Sequence, residues 1–234
     1  MSPSRSLQPF TVALLSLLVL PTLLSPTGAF AKDAGAKHGH LAEDRYRDAE
    51  KWAAAFESPD RDAWQKPDEV IAALKLPADA KVADIGAGTG YFPVRLAKRV
   101  PKGIVYAIDL EPNMVAYVDA RAKREGLKNL RGVAASADDP KLPEPVDLVL
   151  NVNTYHHLED RPAYFRRVAK GLRPGGRVAV IDFKPESKMG PPADHKFSEE
   201  KIVRELEEAG FRLAERHAFL PEQHFLVFAP KAAR

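Results

Sequence analysis

Asp84-Ile85-Gly86-Ala87-Gly88-Thr89-Gly90 closes a short apolar run, Lys81 to Ile85, and precedes an apolar pattern of helical period. Glycine has no Cβ and tolerates positive φ, so a strand, glycine turn and helix in succession let backbone come close to a ligand. The helix start beyond exposes N–H groups that lack intrahelical partners. This combination suits a nucleotide-like ligand. A second carboxylate, Asp109, ends the next apolar run. An acid at that place can accept from both hydroxyls of a ribose; capping the helix that follows Glu111-Pro112 is the other role open to it. Farther along, Tyr155, His156 and His157 stand together after one apolar run, and Asp182 ends another. All four can act as proton acceptors. Two adjacent histidines in a loop before a helix cannot both face one site, so His156 is preferred to His157, and packing or capping remains open for both.

The elements that must position these groups alternate. Strands are expected at 81–85, 104–109, 130–135, 147–152 and 177–183. Between them run helical patterns: Phe92, Leu96, Ala97 and Val100 form one stripe, and Met114, Val115, Val118 and Ala122 form another. Pro112 opens the second of these helices and Gly126 stops it. Asp160 and Ser198 are placed to cap two later helices. Two last apolar runs, 212–219 and 224–229, are spaced as a hairpin. Alternation of this kind builds a parallel sheet with helices on both faces, and the continuous apolar runs Val105–Ile108 and Val178–Ile181 agree with burial on both sides. Ligands of such sheets sit beyond the carboxyl ends of the strands, where the residues above fall. Ahead of the sheet, 41–56 and 68–76 read as helices separated by a break at Ser58-Pro59-Asp60. Their Trp52 and Phe56, with Trp64 between them, are suited either to roof an apolar acceptor pocket or to pack on the sheet.

Composition narrows the chemistry. The chain has 234 residues and no cysteine, which excludes disulfides, thiolate metal sites and cysteine nucleophiles. Its net charge of +3 is small beside 35 basic and 32 acidic residues, with no basic tract to recommend a nucleic-acid partner. His38 and His40 could touch a metal, but nothing nearby completes a site. Phe10 to Leu20 is almost wholly apolar and is followed by Ala29-Phe30-Ala31, the pattern of an export leader and its cleavage site. The run is short of the ~20 residues of a membrane span. Residues 1–31 are therefore expected to be a cleaved signal peptide, making the protein periplasmic or secreted, with an uncleaved membrane anchor as the alternative. Residues 32–40 are expected to form a flexible segment, 41–80 a helical cover over the site, and 81–234 the ligand-binding domain.

Asp-x-Gly-x-Gly-x-Gly resembles the first motif of the class I S-adenosylmethionine-dependent methyltransferases. The resemblance runs from about Lys81 to Ala229: Asp109 matches the ribose-binding acid of that family, Leu172-Arg-Pro-Gly-Gly176 its turn before the fifth strand, and the terminal hairpin its reversed last strand. It implies an α/β, Rossmann-like doubly wound sheet of about seven strands, mostly parallel with an antiparallel carboxyl-terminal strand. It implies S-adenosyl-L-methionine as cofactor, held by Asp84, Gly86, Ala87, Gly88, Gly90, Asp109, Leu110, Ala137, Asp138 and Asn151, and no metal. Asn151-Val-Asn-Thr departs from the Asn/Asp-Pro-Pro-aromatic segment of enzymes that methylate nucleobase or amide nitrogen, so the acceptor is expected to be a small molecule, lipid or quinone-like compound. The alternatives are an exported binding protein without turnover and an NAD(P)-dependent oxidoreductase; Tyr91 occupies the position of the third glycine in the dinucleotide fingerprint.

Overall fold

In a computed structural model, residues 48–232 are described. The expected signal peptide, the His38/His40 segment and the first part of the expected first helix lie outside these residues. Three short helices come first: α1 (Ala49–Phe56), α2 (Pro59–Gln65) and α3 (Pro67–Ala73). There follow β1 (Lys81–Ile85), α4 (Tyr91–Arg99), β2 (Ile104–Asp109), α5 (Pro112–Arg124), β3 (Leu130–Ala134), β4 (Val146–Val152), α6 (Arg161–Lys170), β5 (Leu172–Phe183), α7 (Glu199–Glu208), β6 (Phe211–His217) and β7 (Gln223–Pro230). The seven strands form one sheet in the order β3-β2-β1-β4-β5-β7-β6. β1 to β5 are parallel; β7 runs antiparallel to both β5 and β6. This is the class I methyltransferase fold. The order reverses between β1 and β4, so the glycine turn after β1 and the loop after β4 flank the switch point, where an open α/β sheet leaves a crevice.

Successive strand residues point to opposite faces, and the core divides accordingly. Val82, Val105, Leu148, Leu150, Ile181 and Val227 pack with α3, α4 and α5 on one face. Ala83, Ile108, Val149, Val180, Leu226 and Phe228 pack with α6 and α7 on the other. Asp160 accepts from Ala163 N and Ser198 from Lys201 N, so the expected caps are formed. Two differences from expectation go beyond a few residues at an element's end. Ser58-Pro59-Asp60 ends α1 but also starts α2, because proline is well placed at the first position of a helix, where no N–H is needed. β5 begins at Leu172, ahead of the Arg-Pro-Gly-Gly turn, which the sheet absorbs as a register shift opposite Val146 and Leu148.

The entry to β2 is packed against the residue before β1. Ile104 N donates to Ala80 O at 3.2 Å, and a Cβ on Gly103 would lie 1.9 Å from that oxygen. Gly103→Ala is therefore expected to destabilise the protein by at least ~2 kcal/mol, read as a lower urea midpoint.

Candidate active site at the strand ends

The glycine turn is set by backbone bonds. Gly86 N and Ala87 N both donate to Ile108 O, at 2.8 and 3.0 Å, which fastens the turn to β2. Gly86, Gly88 and Gly90 have φ of 74°, 53° and 92°, left-handed values that side chains resist. A Cβ on Gly86 would fall 2.0 Å from Thr154 Oγ1, so the turn also abuts the loop after β4. Gly88 N donates to Asp109 Oδ2 at 2.8 Å, and Glu111 N donates to Oδ1 at 3.0 Å. Asp109 thus holds the N–H of Glu111, the residue before α5, and ties it to the glycine turn, while α5 itself has no side-chain cap. Burial raises its pKa, while the N–H donors of Glu111, Gly88 and Leu110 lower it.

Asp84 lies beneath the turn and is 3 % exposed. Burial pushes its pKa to about 8; Arg61 pulls it down and Asp109 adds to the rise. Arg61 comes from α2. Burial lowers its pKa to about 10 against the opposing influence of Tyr91, Asp84 and Glu57. Its Nη1 donates to Phe56 O at 2.8 Å, its Nε donates to Gln65 Oε1, and its guanidinium lies 3.9 Å over the Tyr91 ring. A partly buried guanidinium and a buried carboxyl thus lie together at the glycine turn. Arg61 was not legible as a site residue; its spacing of four from Gln65 is the one local sign that both share a helix face.

α1 and α2 are latched to this turn. Glu57 accepts from Thr89 Oγ1 at 2.9 Å and pairs with Arg121; Asp62 accepts from the Tyr91 hydroxyl and from Arg95 Nη2 at 3.1 Å. The Phe56 ring lies 3.4 Å from where a Gly88 Cβ would be, and Trp64 packs on Phe183 with ring centroids 5.7 Å apart. Among the aromatics considered for a roof, Phe56 therefore reaches the turn and Trp64 the end of β5.

On the other side of the switch point, His156 and Asp182 meet. His156 Nδ1 lies 2.9 Å from Asp182 Oδ1 and 3.0 Å from Oδ2, and His156 N donates to Oδ2 at 3.1 Å. Phe183 N donates to Oδ1 at 2.7 Å. The two side chains are 7 % and 5 % exposed. With a carboxylate at Nδ1, that nitrogen carries the proton and Nε2 the lone pair. His157 is exposed, with its ring 4.1 Å from that of His156. Tyr155 departs from its place among the candidate bases. It is fully buried, its hydroxyl donates to Glu205, and its ring stacks on Phe165; burial and Glu205 hold its proton firmly on.

The remaining candidates are placed as follows. Asn151 is wholly buried; its Nδ2 donates weakly to Ile85 O at 3.4 Å, and its Oδ1 has no partner among the described residues. Ala87 is buried in the turn, and Leu110, at the end of β2, is 51 % exposed. Ala137 and Asp138 lie exposed in the turn after β3, where Asp138 pairs with Arg167 at 3.2 Å. No cluster able to hold a metal occurs among the described residues.

Residues 82–176 match a methyltransferase domain family. A solved S-adenosylmethionine-dependent methyltransferase from Aquifex aeolicus is 28% identical with a TM-score of 0.71, over 77% of this chain and 97% of that one. The demethylmenaquinone methyltransferase of Roseiflexus sp. is 29% identical over 68% of this chain and 66% of its own length. Phosphoethanolamine N-methyltransferase 3 of Arabidopsis thaliana is 32% identical over 53% of this chain. The chain spans only a quarter of that protein's length.

S-adenosyl-L-methionine is the cofactor of this fold and domain, and the residues present fit it. The glycine turn presents backbone without side chains at the strand ends, Asp84 and Arg61 complement an ammonium and a carboxylate, and the Asn151 Oδ1, without a partner among the described residues, offers a buried acceptor.

An acid whose folded pKa is raised from 3.8 to about 8 contributes most to stability below its unfolded pKa, and that contribution is lost as pH rises through about 8. Asp84→Asn removes this loss. The cofactor-free variant is expected to melt higher than wild type at alkaline pH, while its affinity for S-adenosylhomocysteine falls by about tenfold or more, since a charge-assisted bond contributes ~1.5–3 kcal/mol. Melting scans across pH and calorimetry read the two effects. Asp109→Ala is expected to weaken the same ligand by a similar factor; unchanged affinity would leave Asp109 an anchor of backbone alone.

Proposed function

We propose that the protein transfers a methyl group from S-adenosylmethionine to a hydroxyl of a small-molecule, lipid or quinone-like acceptor, with His156 as general base. The observation that carries this reading is the buried His156–Asp182 pair at the carboxyl ends of β4 and β5, beside the loop that touches the glycine turn.

The bound cofactor supplies a methyl carbon activated by positive sulfur. Asp84 and Arg61 would hold its amino-acid end, Gly86 to Gly90 would pass along it, and Asp109 would accept from its ribose. Leu110, Ala137 and Asp138 line the outer ends of β2 and β3, where the base would lie. Most of the catalytic gain comes from bringing donor and acceptor into line. A hydroxyl acceptor is a poor nucleophile until its proton is removed, and His156 Nε2 would take that proton. Asp182 holds the opposite ring nitrogen, which fixes the tautomer and stabilises the imidazolium that forms. Phe56 and Trp64 would help exclude water from above. The export leader expected at the amino terminus is part of the same proposal: N-terminal sequencing of the protein from its host would show a start at Lys32, and a start at Met1 or Ser2 would reject cleavage.

The test is transfer of labelled methyl from S-adenosylmethionine to a panel of quinols, phenols and hydroxylated lipids, with product identified by mass. His156→Ala is expected to lower kcat by ~10²–10⁴-fold, and Asp182→Asn by a smaller factor, with binding of S-adenosylhomocysteine retained in both. Undiminished turnover in His156→Ala would remove the base from the mechanism. Cofactor binding without transfer to any acceptor would favour a binding protein.

A further inference from the structure

A line of amides crosses the roof of the site. Arg61 Nε donates to Gln65 Oε1, Gln65 Nε2 donates to Gln223 Oε1 at 2.8 Å, and Gln223 Nε2 donates to Asn153 Oδ1. Gln65 and Gln223 are 0 % and 1 % exposed. A guanidinium has five donors and no acceptor, so the direction of the whole line follows from its first member. Gln65 must turn its oxygen to Arg61 and its nitrogen to Gln223. Gln223 must then do the same, and Asn153 receives the last donor on its oxygen.

What remains at the far end is the Asn153 Nδ2 group. Among the described residues nothing accepts from it, and it is not among the buried side-chain atoms left without a partner. Asn153 follows β4 directly. Its N donates to Ile181 O at 2.9 Å, and its φ of 55° is a left-handed value uncommon outside glycine. It lies three residues before His156 in the same loop, next to Thr154, which touches the glycine turn.

We propose that Asn153 determines acceptor specificity: its side-chain amide donates an N–H to an oxygen of the methyl acceptor, so the site selects hydroxyl compounds with a neighbouring carbonyl or carboxylate and rejects those with an ammonium there. This rests on the methyltransferase reading above. Gln65 and Gln223 are positioning residues, and because Gln65 and Arg61 belong to α2, the donor is presented only when α2 is docked.

Salicylate and 2-hydroxybenzylamine share a ring and a hydroxyl and differ in the neighbouring group, an acceptor in one and a donor in the other. Calorimetry of the whole protein saturated with S-adenosylhomocysteine is expected to show about tenfold tighter binding of salicylate, the effect of one hydrogen bond to a charged group. Asn153→Asp replaces the donor by an acceptor and inverts the preference. Gln223→Glu can no longer donate to Asn153, whose amide must turn over and show its oxygen, so this variant inverts it too; Gln223→Leu lowers the preference without inverting it. A purely structural role for Gln223 would not produce that difference. Loss of S-adenosylhomocysteine binding by the wild-type protein would overturn the methyltransferase reading itself. Binding of that ligand with equal affinity for the two phenols, with the opposite preference, or with neither phenol bound would overturn the assignment of Asn153. A preference left unchanged by both Asn153→Asp and Gln223→Glu would do the same.

Discussion

A guanidinium buried between α2 and the glycine turn connects the two halves of this site. Arg61 lies over Tyr91, donates to the carbonyl that ends α1, lowers the pKa of Asp84, and heads the amide line to Asn153. Removing a charge of this kind from water is costly unless it is compensated. Here compensation comes from an aromatic face, a carbonyl, an amide and a carboxyl that is itself buried. None of these is a direct ion pair, so the Arg61 charge and the Asp84 carboxyl are not spent on each other.

The two sides of the switch point have different electrostatic characters. On the β1 side, burial holds a carboxyl largely protonated at neutral pH. On the β4 and β5 side, Asp182 accepts from two backbone N–H groups and faces a histidine. Among the described residues no hydrogen bond to the Asp84 carboxyl is formed, whereas that of Asp182 is already satisfied. The first is suited to binding and the second to orienting a base. Both positions end strands that run parallel, so the sheet alone would make them equivalent. Their difference arises from the loops and helices laid across the strand ends.

Much of this was legible in the amino-acid order. β1 and β2 match their expected limits because each apolar run is too short for a helix and is bounded by glycine or proline turns. The glycine turn, Asp109, His156 and Asp182 were each found at a strand end. α2 was not, because Ser58-Pro59-Asp60 has the same composition whether it ends a helix or begins one. Arg61, Gln65 and Gln223 were missed for a related reason: polar residues in short helices and at a strand start look solvated until tertiary contacts bury them. Tyr155 and His156 show the limit most clearly. They are neighbours in a single turn, yet one is directed to Glu205 and the other to Asp182. A turn of that tightness sends consecutive side chains in different directions, and no periodic pattern of so few residues can say which goes where.

The latches on α1 and α2 do not respond alike to their surroundings. Glu57 and Asp62 hold these helices down on Thr89, Arg121, Tyr91 and Arg95, and Phe56 covers Gly88. The Asp62–Arg95 pair is partly open to solvent, with side chains 51 % and 27 % exposed. Salt weakens pairs of that kind, so the hold of α2 on the start of α4 is expected to loosen as ionic strength rises, while the more enclosed Glu57–Arg121 pair keeps α1 in place.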